Sequence, residues 1–412
     1  MKTEQAVRVS LTLPSEANAS GRNFGDSELE LLRQALHSGT LNCTKGTFVN
    51  QLEKSFALRL GVHSATAVTS GTAAIHCAVA AVNPEPGDEI IGSPITDMGA
   101  ITPILYQGAI PVFADVDPRS LLISAETIAS RITRRTRAII VTHLFGNPCD
   151  MDPIVELAEK HNLVVIEDCA QALMAQYKGR HVGTIGQIGC FSLQQTKHIT
   201  TGEGGLVVST KPDYARRMRL FHDKAWGYGD PKPDHYFMAL NYRMTELQGA
   251  VGLAQLEKLD WSVAQRQSMA DLLTDRLRGI ANVELPEPTK ESTHAYWKYC
   301  LNFERDNVGD IAKLLREEYD IASAPRYIVK PAFMCEVLRD RNTFGSSHWP
   351  YEGEQRKGEP PITYDSAGFP GTMKGLNNVL VLPWNEKYTE EHLEYIAAAV
   401  LDVVSRVRGA HV

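Results

Sequence analysis

Residues 164–171 read Val164-Val165-Ile166-Glu167-Asp168-Cys169-Ala170-Gln171. An apolar run ending in two acids is the pattern of a strand buried on both faces that surfaces at its carboxyl end. Open α/β sheets place ligands at that end, so Asp168 stands where a metal, a ribose or a protonated ring nitrogen is held. A solvated loop carboxylate is the competing reading of the same residue. Comparable runs lie on either side of it. They predict strands at Ala67–Val68, Glu89–Gly92, Pro111–Asp115, Ala138–Thr142, Leu163–Glu167, Gly189–Leu193 and Leu206–Ser209. Helical spacing between them predicts helices over Thr72–Val82, Met98–Tyr106, Ala125–Ile132 and Asp152–His161. This alternation builds βαβ units and a mostly parallel sheet covered by helices.

Outside the alternating region the pattern changes. Residues 1–20 are polar and aperiodic, which predicts a loose arm, and helical spacing follows over Ser27–Ser38 and Asn50–Leu60. Beyond Ser209 helices are expected at Arg216–His222 and from Met244 to about Arg278. The tail mixes strands (Tyr296–Phe303, Val379–Leu382) with helices (Ile311–Tyr319, Glu390–Arg406). Arg339–Gly375 is rich in Gly, Pro, Ser and Tyr and reads as a long loop, either functional or a solvated surface. The expected class is α/β: a flexible arm over residues 1–20, a large domain over 21–260 and a smaller C-terminal α+β domain over 261–412.

The 412 residues are 43% hydrophobic and 22% charged, the make-up of an ordinary globular chain. Forty-two Lys and Arg face 49 Asp and Glu, a net charge of -7, so nucleic acid and anionic membrane are not the expected partners. The seven cysteines are scattered without a C-x-x-C pair, which argues for a reducing compartment rather than disulfides or a zinc site. With no signal-type apolar segment and no run long enough to span a bilayer, the expectation is a soluble, cytoplasmic protein.

Two further stretches bear on chemistry. Thr69-Ser70-Gly71-Thr72-Ala73-Ala74 is a strand end turning into an Ala-rich helix. Its free N–H groups suit a phosphate, although a plain helix cap explains the same residues. Phe191-Ser192-Leu193-Gln194-Gln195-Thr196-Lys197 runs through His198-Ile199-Thr200-Thr201 into Gly202-Glu203-Gly204-Gly205. One lysine thus sits between a strand and a Gly-rich turn, where it is a candidate Schiff-base residue or merely a solvated lysine. Together, a phosphate-binding helix start, an Asp after a strand and such a lysine are what pyridoxal 5'-phosphate requires.

At these motifs the sequence resembles the DegT–StrS sugar aminotransferases, within the aspartate-aminotransferase-like fold. Further support comes from Phe24-Gly25, Ser38-Gly39-Thr40-Leu41, Gly108-Ala109-Ile110-Pro111 with Asp115-Val116-Asp117, and Asn241-Tyr242-Arg243-Met244. The resemblance implies that Lys197 forms the Schiff base, that Asp168 pairs with the pyridinium nitrogen and that Gln171 sits near the ring hydroxyl. It implies phosphate contacts from Gly71, Thr72 and Ser192, and from Asn241 of the neighbouring subunit, hence a homodimer with shared sites. Ala170 would lie against one ring face. On the other face Asp97 occupies the position of the family's usual stacking aromatic, and Met98 or a residue from elsewhere would have to cover it. Cys169 stands where Ala is common.

Related dehydratases carry His at the lysine position. Lys197 therefore favours amino transfer over a dehydratase or a non-catalytic cofactor-binding protein. The implied reaction moves an amino group from glutamine or glutamate to a keto-sugar or ketocyclitol, with a nucleotide-linked keto-sugar as the alternative. The neutral amides Gln194 and Gln195 beside Lys197 favour a small hydroxylated acceptor. Arg326, Tyr327 and the 339–375 loop are candidate specificity elements.

Overall fold

Seven apolar runs pair into one sheet in the computed structural model, which describes residues 11–304 and 306–409. They are β1 (Ser64–Val68), β2 (Glu89–Gly92), β3 (Ile110–Phe113), β4 (Thr136–Thr142), β5 (Val164–Asp168), β6 (Ile188–Ser192) and β7 (Gly205–Ser209). Their spatial order is β1-β7-β6-β5-β4-β2-β3. Neighbours from β3 across to β6 run parallel, and β7 runs antiparallel to both β6 and β1. Each of the seven expected strands is present, displaced by a few residues at its ends.

Helices cover the sheet because its strands are buried on both faces. α1 spans Asp26–His37, α2 Phe48–Leu60 and α3 Gly71–Val82. The α3 sequence is mostly Ala, with Ile75 and Val79 at 3% and 0% exposure, so its backbone lies close against β6 and β7. Ser70 caps it, its Oγ accepting from the Ala73 N–H at 3.0 Å, and left-handed Asn83 ends it. The expected Met98–Tyr106 helix is instead a short turn, Met98–Ala100, followed by Thr102–Tyr106. Asp97 starts that turn by accepting from Gly99 N–H, and Pro103, lacking an N–H, fits only a fresh helix start.

The C-terminal part has its own antiparallel sheet of β8 (Val283–Glu284), β9 (Tyr299–Phe303), β10 (Ala324–Pro325) and β11 (Val379–Leu382), in the order β8-β9-β11-β10. Helices Val308–Tyr319 and Glu390–Gly409 pack on it around buried Tyr299, Leu301, Trp384 and Val400. The α/β class with a smaller α+β part is thus as expected.

The 339–375 stretch is largely irregular, as expected of a long loop, until the helix that begins at Pro370, and part of it packs on the sheet. Phe369 stacks on Phe333 at 4.4 Å, and Tyr364 packs edge-on to Phe113 while its Oη donates to Pro111 O at 2.7 Å. The segment covers edge strand β3, whose unpaired side would otherwise be open to another strand. Of the expected N-terminal arm, residues 1–10 lie outside the described residues. Residues 15–21 form a turn tied down by Gly21 N–H to Ser15 O at 3.1 Å and by Asn385 Nδ2 to Gly21 O at 3.1 Å. Among the described residues no helix is long and apolar enough to cross a membrane.

Candidate active site

A cavity of about 400 Å³ opens at the carboxyl ends of β5 and β6 and the start of α3, and both Asp168 and Lys197 line it. A larger one, about 520 Å³ between residues 117–121 and 284–290, holds neither residue. The chemistry belongs to the first.

One end of this cavity is made by backbone. With Ala73 N–H taken by Ser70 Oγ and Ala74 N–H by Ser70 O, the N–H groups of Gly71 and Thr72 remain free beside Ser192. A Cβ on Gly71 would meet Ser192 Cβ at 2.9 Å, so only glycine lets the helix start approach β6 this closely. Free N–H groups at the positive end of a helix, with a hydroxyl beside them, suit an oxyanion.

Asp168 ends β5 at 8% exposure. Its Oδ1 accepts from Ala170 N–H at 3.1 Å, and Oδ2 accepts no hydrogen bond from the described residues. Burial pushes its carboxyl above the usual range, opposed by that N–H and by the Lys197 charge. A cationic N–H donor placed at Oδ2 would restore the ionised form. Behind it, Glu167 accepts the N–H groups of Gly183, Ile185 and Gly186 and pairs with His143 Nε2 at 3.0 Å. His143 Nδ1 accepts from Cys149 N–H at 3.0 Å, so His143 is a neutral donor toward Glu167. His143, Glu167 and Cys169 are close enough to resemble a metal cluster. Both ring nitrogens are occupied and Glu167 is saturated, so the trio is structural support for the end of β5.

Lys197 Nζ makes no hydrogen bond to protein among the described residues and lies 4.2 Å from the centroid of the Trp297 ring. Burial lowers its pKa to about 8, against the upward pull of Asp168 and Asp97. An amine in that range is neutral in a minor fraction near physiological pH, about a fifth, far more than an ordinary lysine, and that neutral form is the nucleophile and base.

Gln171 faces the same cavity with its amide orientation settled. Phe145 N–H donates to Oε1 at 2.7 Å, so Nε2 points the other way and donates to Tyr327 Oη at 2.8 Å, leaving one amide hydrogen for the cavity. Tyr327 and Trp297 were not singled out as a pair by the sequence. Each follows a non-glycine residue in the left-handed region, Arg326 (φ 65) and Tyr296 (φ 46), and Phe145 itself has φ 59. Such conformations cost on the order of 1–3 kcal/mol each and collect where side chains must be aimed.

Five of the expected site residues besides Asp168, namely Gly71, Thr72, Gln171, Ser192 and Lys197, share this cavity. Asn241 does not. It is exposed, with Oδ1 accepting from Arg243 N–H at 3.2 Å. Asp97 lines the cavity, whereas Met98 packs with Phe333 and Leu338 in a separate cluster and does not cover the open face. Tyr327 does reach the cavity, but no residue of 339–375 lines it.

A doubly covered, mostly parallel sheet with a lysine and an aspartate lining one cavity at its carboxyl edge is an arrangement suited to pyridoxal 5'-phosphate. The chain belongs to the DegT/DnrJ/EryC1/StrS aminotransferase family, whose profile matches residues 23–353. Family membership makes it an enzyme, with pyridoxal 5'-phosphate as cofactor. It is 40% identical to GDP-perosamine synthase of Caulobacter vibrioides over 259 residues, 62% of this chain and 69% of that one. It is 36% identical to a candidate L-glutamine:3-amino-2,3-dideoxy-scyllo-inosose aminotransferase of Streptoalloteichus tenebrarius over 285 residues, 68% of each chain. Among solved structures, the aminotransferase from Psychrobacter cryohalolentis superposes with a TM-score of 0.80 at 29% identity, over 94% of this chain and 99% of the other.

Proposed function

We propose that this enzyme moves an amino group from glutamine or glutamate to the carbonyl of a keto-sugar or ketocyclitol, with Lys197 as the acid–base residue. The observation that carries this is the facing of the Lys197 amine and the Asp168 carboxylate across one cavity that ends at free helix N–H groups.

The residues present fit the cofactor. Gly71, Thr72 and Ser192 would hold the phosphate, Asp168 Oδ2 the ring N–H, Gln171 the ring hydroxyl and Lys197 the aldehyde carbon. The bound group supplies an aldehyde that condenses with amines and a protonated ring that accepts an electron pair. Lys197, once free, takes the proton from the donor's α-carbon and returns it at the neighbouring position. Asp168 keeps the ring proton in place by its negative charge. Gln171, fixed by Phe145 and Tyr327, keeps one N–H aimed into the cavity. The acceptor half repeats these proton movements in reverse. The same proposal includes a large domain over 21–260, a small one over 261–412, and a homodimer in which Asn241 serves the neighbouring site.

A nucleotide-linked keto-sugar is the second reading, favoured by the 40% identity to an enzyme named for a GDP-sugar. The cavity wall favours the first, since among the described residues Lys197 is the only Lys or Arg lining it, while Asp97 and Glu203 add negative charge. The test charges the enzyme with amino donor and offers free and nucleotide-linked keto-sugars in parallel. Discharge by the free compounds supports the first reading; discharge by nucleotide-linked ones alone replaces it with the second.

A further inference from the structure

We infer that Trp297 is a positioning residue for the reaction, holding the Lys197 amine on its ring face whenever that amine is not bonded to the cofactor. The inference rests on the reading of Lys197 given above. It goes beyond it by assigning a task to a side chain a hundred positions away.

The geometry is specific to the lysine. Trp297 Nε1 donates to Thr196 O at 2.8 Å, gripping the residue just before Lys197, while the ring face lies 4.2 Å from Nζ. The indole is itself fixed. Trp297 N–H donates to Phe145 O at 2.8 Å, its carbonyl accepts from Arg266 Nη1 at 3.1 Å, and Tyr327 meets the ring edge-on at 6.1 Å. Left-handed Tyr296 before it sets the angle at which the ring enters the cavity.

A lysine that shuttles a proton alternates between amine and ammonium, and its four-carbon stem has many rotamers when unbonded. An aromatic face attracts the ammonium through its quadrupole without accepting its proton. The ring thus keeps Nζ near the reacting carbons and competes less for the proton than a carboxylate contact would. The groups that set the charge around Nζ are Asp168 and Asp97, which line the cavity, and Lys298 and Glu16. Lys298 Nζ lies 5.1 Å from the same ring but is paired with Glu16, so it does not take the lysine's place.

The test compares Trp297→Leu and Trp297→Phe in the cofactor-loaded enzyme. The rate constant at which amino donor discharges the visible cofactor band is measured against donor concentration. The leucine variant is expected to slow this rate constant about tenfold, with half-saturating donor changed less than about threefold; the phenylalanine variant, which keeps a ring but not Nε1–H, stays within about threefold of wild type. Retention of the band in both variants shows that they fold and load. A leucine variant as fast as wild type overturns the inference, and so does a phenylalanine variant as slow as leucine, because the hydrogen bond to Thr196 would then be what matters. Borohydride reduction and peptide mapping of wild type stand apart: if the cofactor is not found on Lys197, the proposed function fails along with this inference.

Discussion

Arg22 donates through Nη1 to the main-chain carbonyl of Lys197 at 2.8 Å, across 175 positions of sequence. Its guanidinium is buried and its Nη2 lies 4.0 Å from Glu386 Oε1. Glu386 also binds Arg266 at 2.7 Å, and Arg266 holds the carbonyls of Tyr296 and Trp297. One buried carboxylate therefore ties together the main chains of the lysine and of the tryptophan it rests on.

That arrangement predicts an order of damage. Arg22→Ala leaves the Lys197 carbonyl without a donor but leaves Glu386 paired with Arg266, a loss of about 2 kcal/mol. Glu386→Ala strands two buried guanidiniums and is expected to cost about 3–5 kcal/mol. Denaturant melts of the two variants check it. An Arg22 variant less stable than the Glu386 variant would contradict the network as described.

Asp168→Asn is expected to fold and keep the cofactor but lose about a hundredfold or more in turnover, because an amide carries no charge to hold the ring proton. Oδ1 could still accept from Ala170 N–H, so stability should change little. The measurements are kcat and the cofactor content after gel filtration. Near-normal turnover would move the electron-sink role away from this residue.

The Lys197 pKa of about 8 has two consequences of defined sign. Capture of the aldehyde cofactor by apoenzyme needs the neutral amine, so its rate should rise with pH through a midpoint near 8 rather than near 10. For stability, the unfolded chain binds the extra proton between pH 8 and 10.5, so this lysine's penalty is fully present below 8 and is relieved as pH rises toward 10.5. After a discount for the part of the side chain open to the cavity, the penalty is about 2 kcal/mol. Lys197→Met apoenzyme should therefore melt higher than wild type at pH 7, and the gap should close by pH 10.5. A variant that melts lower across that range would refute the assignment.

Much of the fold was legible because its strands are buried on both faces and so read as short continuous apolar runs. Asp168, Gly71 and Lys197 were legible for a related reason: each sits where a strand or helix ends, and ends have local signatures. Arg22 and Trp297 have none, and Tyr327 was a candidate specificity residue with no sign that it would hold Gln171. They reach the site through tertiary contacts, two of them aimed by left-handed residues, Tyr296 and Arg326, that are not glycine and leave no mark in composition. The 339–375 stretch was legible as a long irregular segment from its Gly, Pro and Ser, but its role was not: Tyr364 and Phe369 pack on the sheet edge through tertiary contacts.

The proposed homodimer leads to the last prediction. Asn241 is exposed and lines no part of its own subunit's cavity, and Met238 and Leu240 beside it are 90% and 45% exposed. Exposed apolar residues next to a polar one suit a surface covered by a second copy. Asn241→Asp should weaken cofactor binding by setting a carboxylate against the phosphate, and Lys197→Ala should abolish turnover. If each site takes Lys197 from one subunit and Asn241 from the other, a mixed dimer of these two variants has one doubly damaged site and one intact site. Unfolding and refolding the variants together in equal amounts would then restore activity, at most about a quarter of the wild-type value, since half the dimers are mixed and each has one good site. If Asn241 acted within its own subunit, every site in every dimer would carry one lesion and mixing would restore nothing. Activity measured before and after co-refolding, with subunit exchange followed by native mass spectrometry, separates the two outcomes.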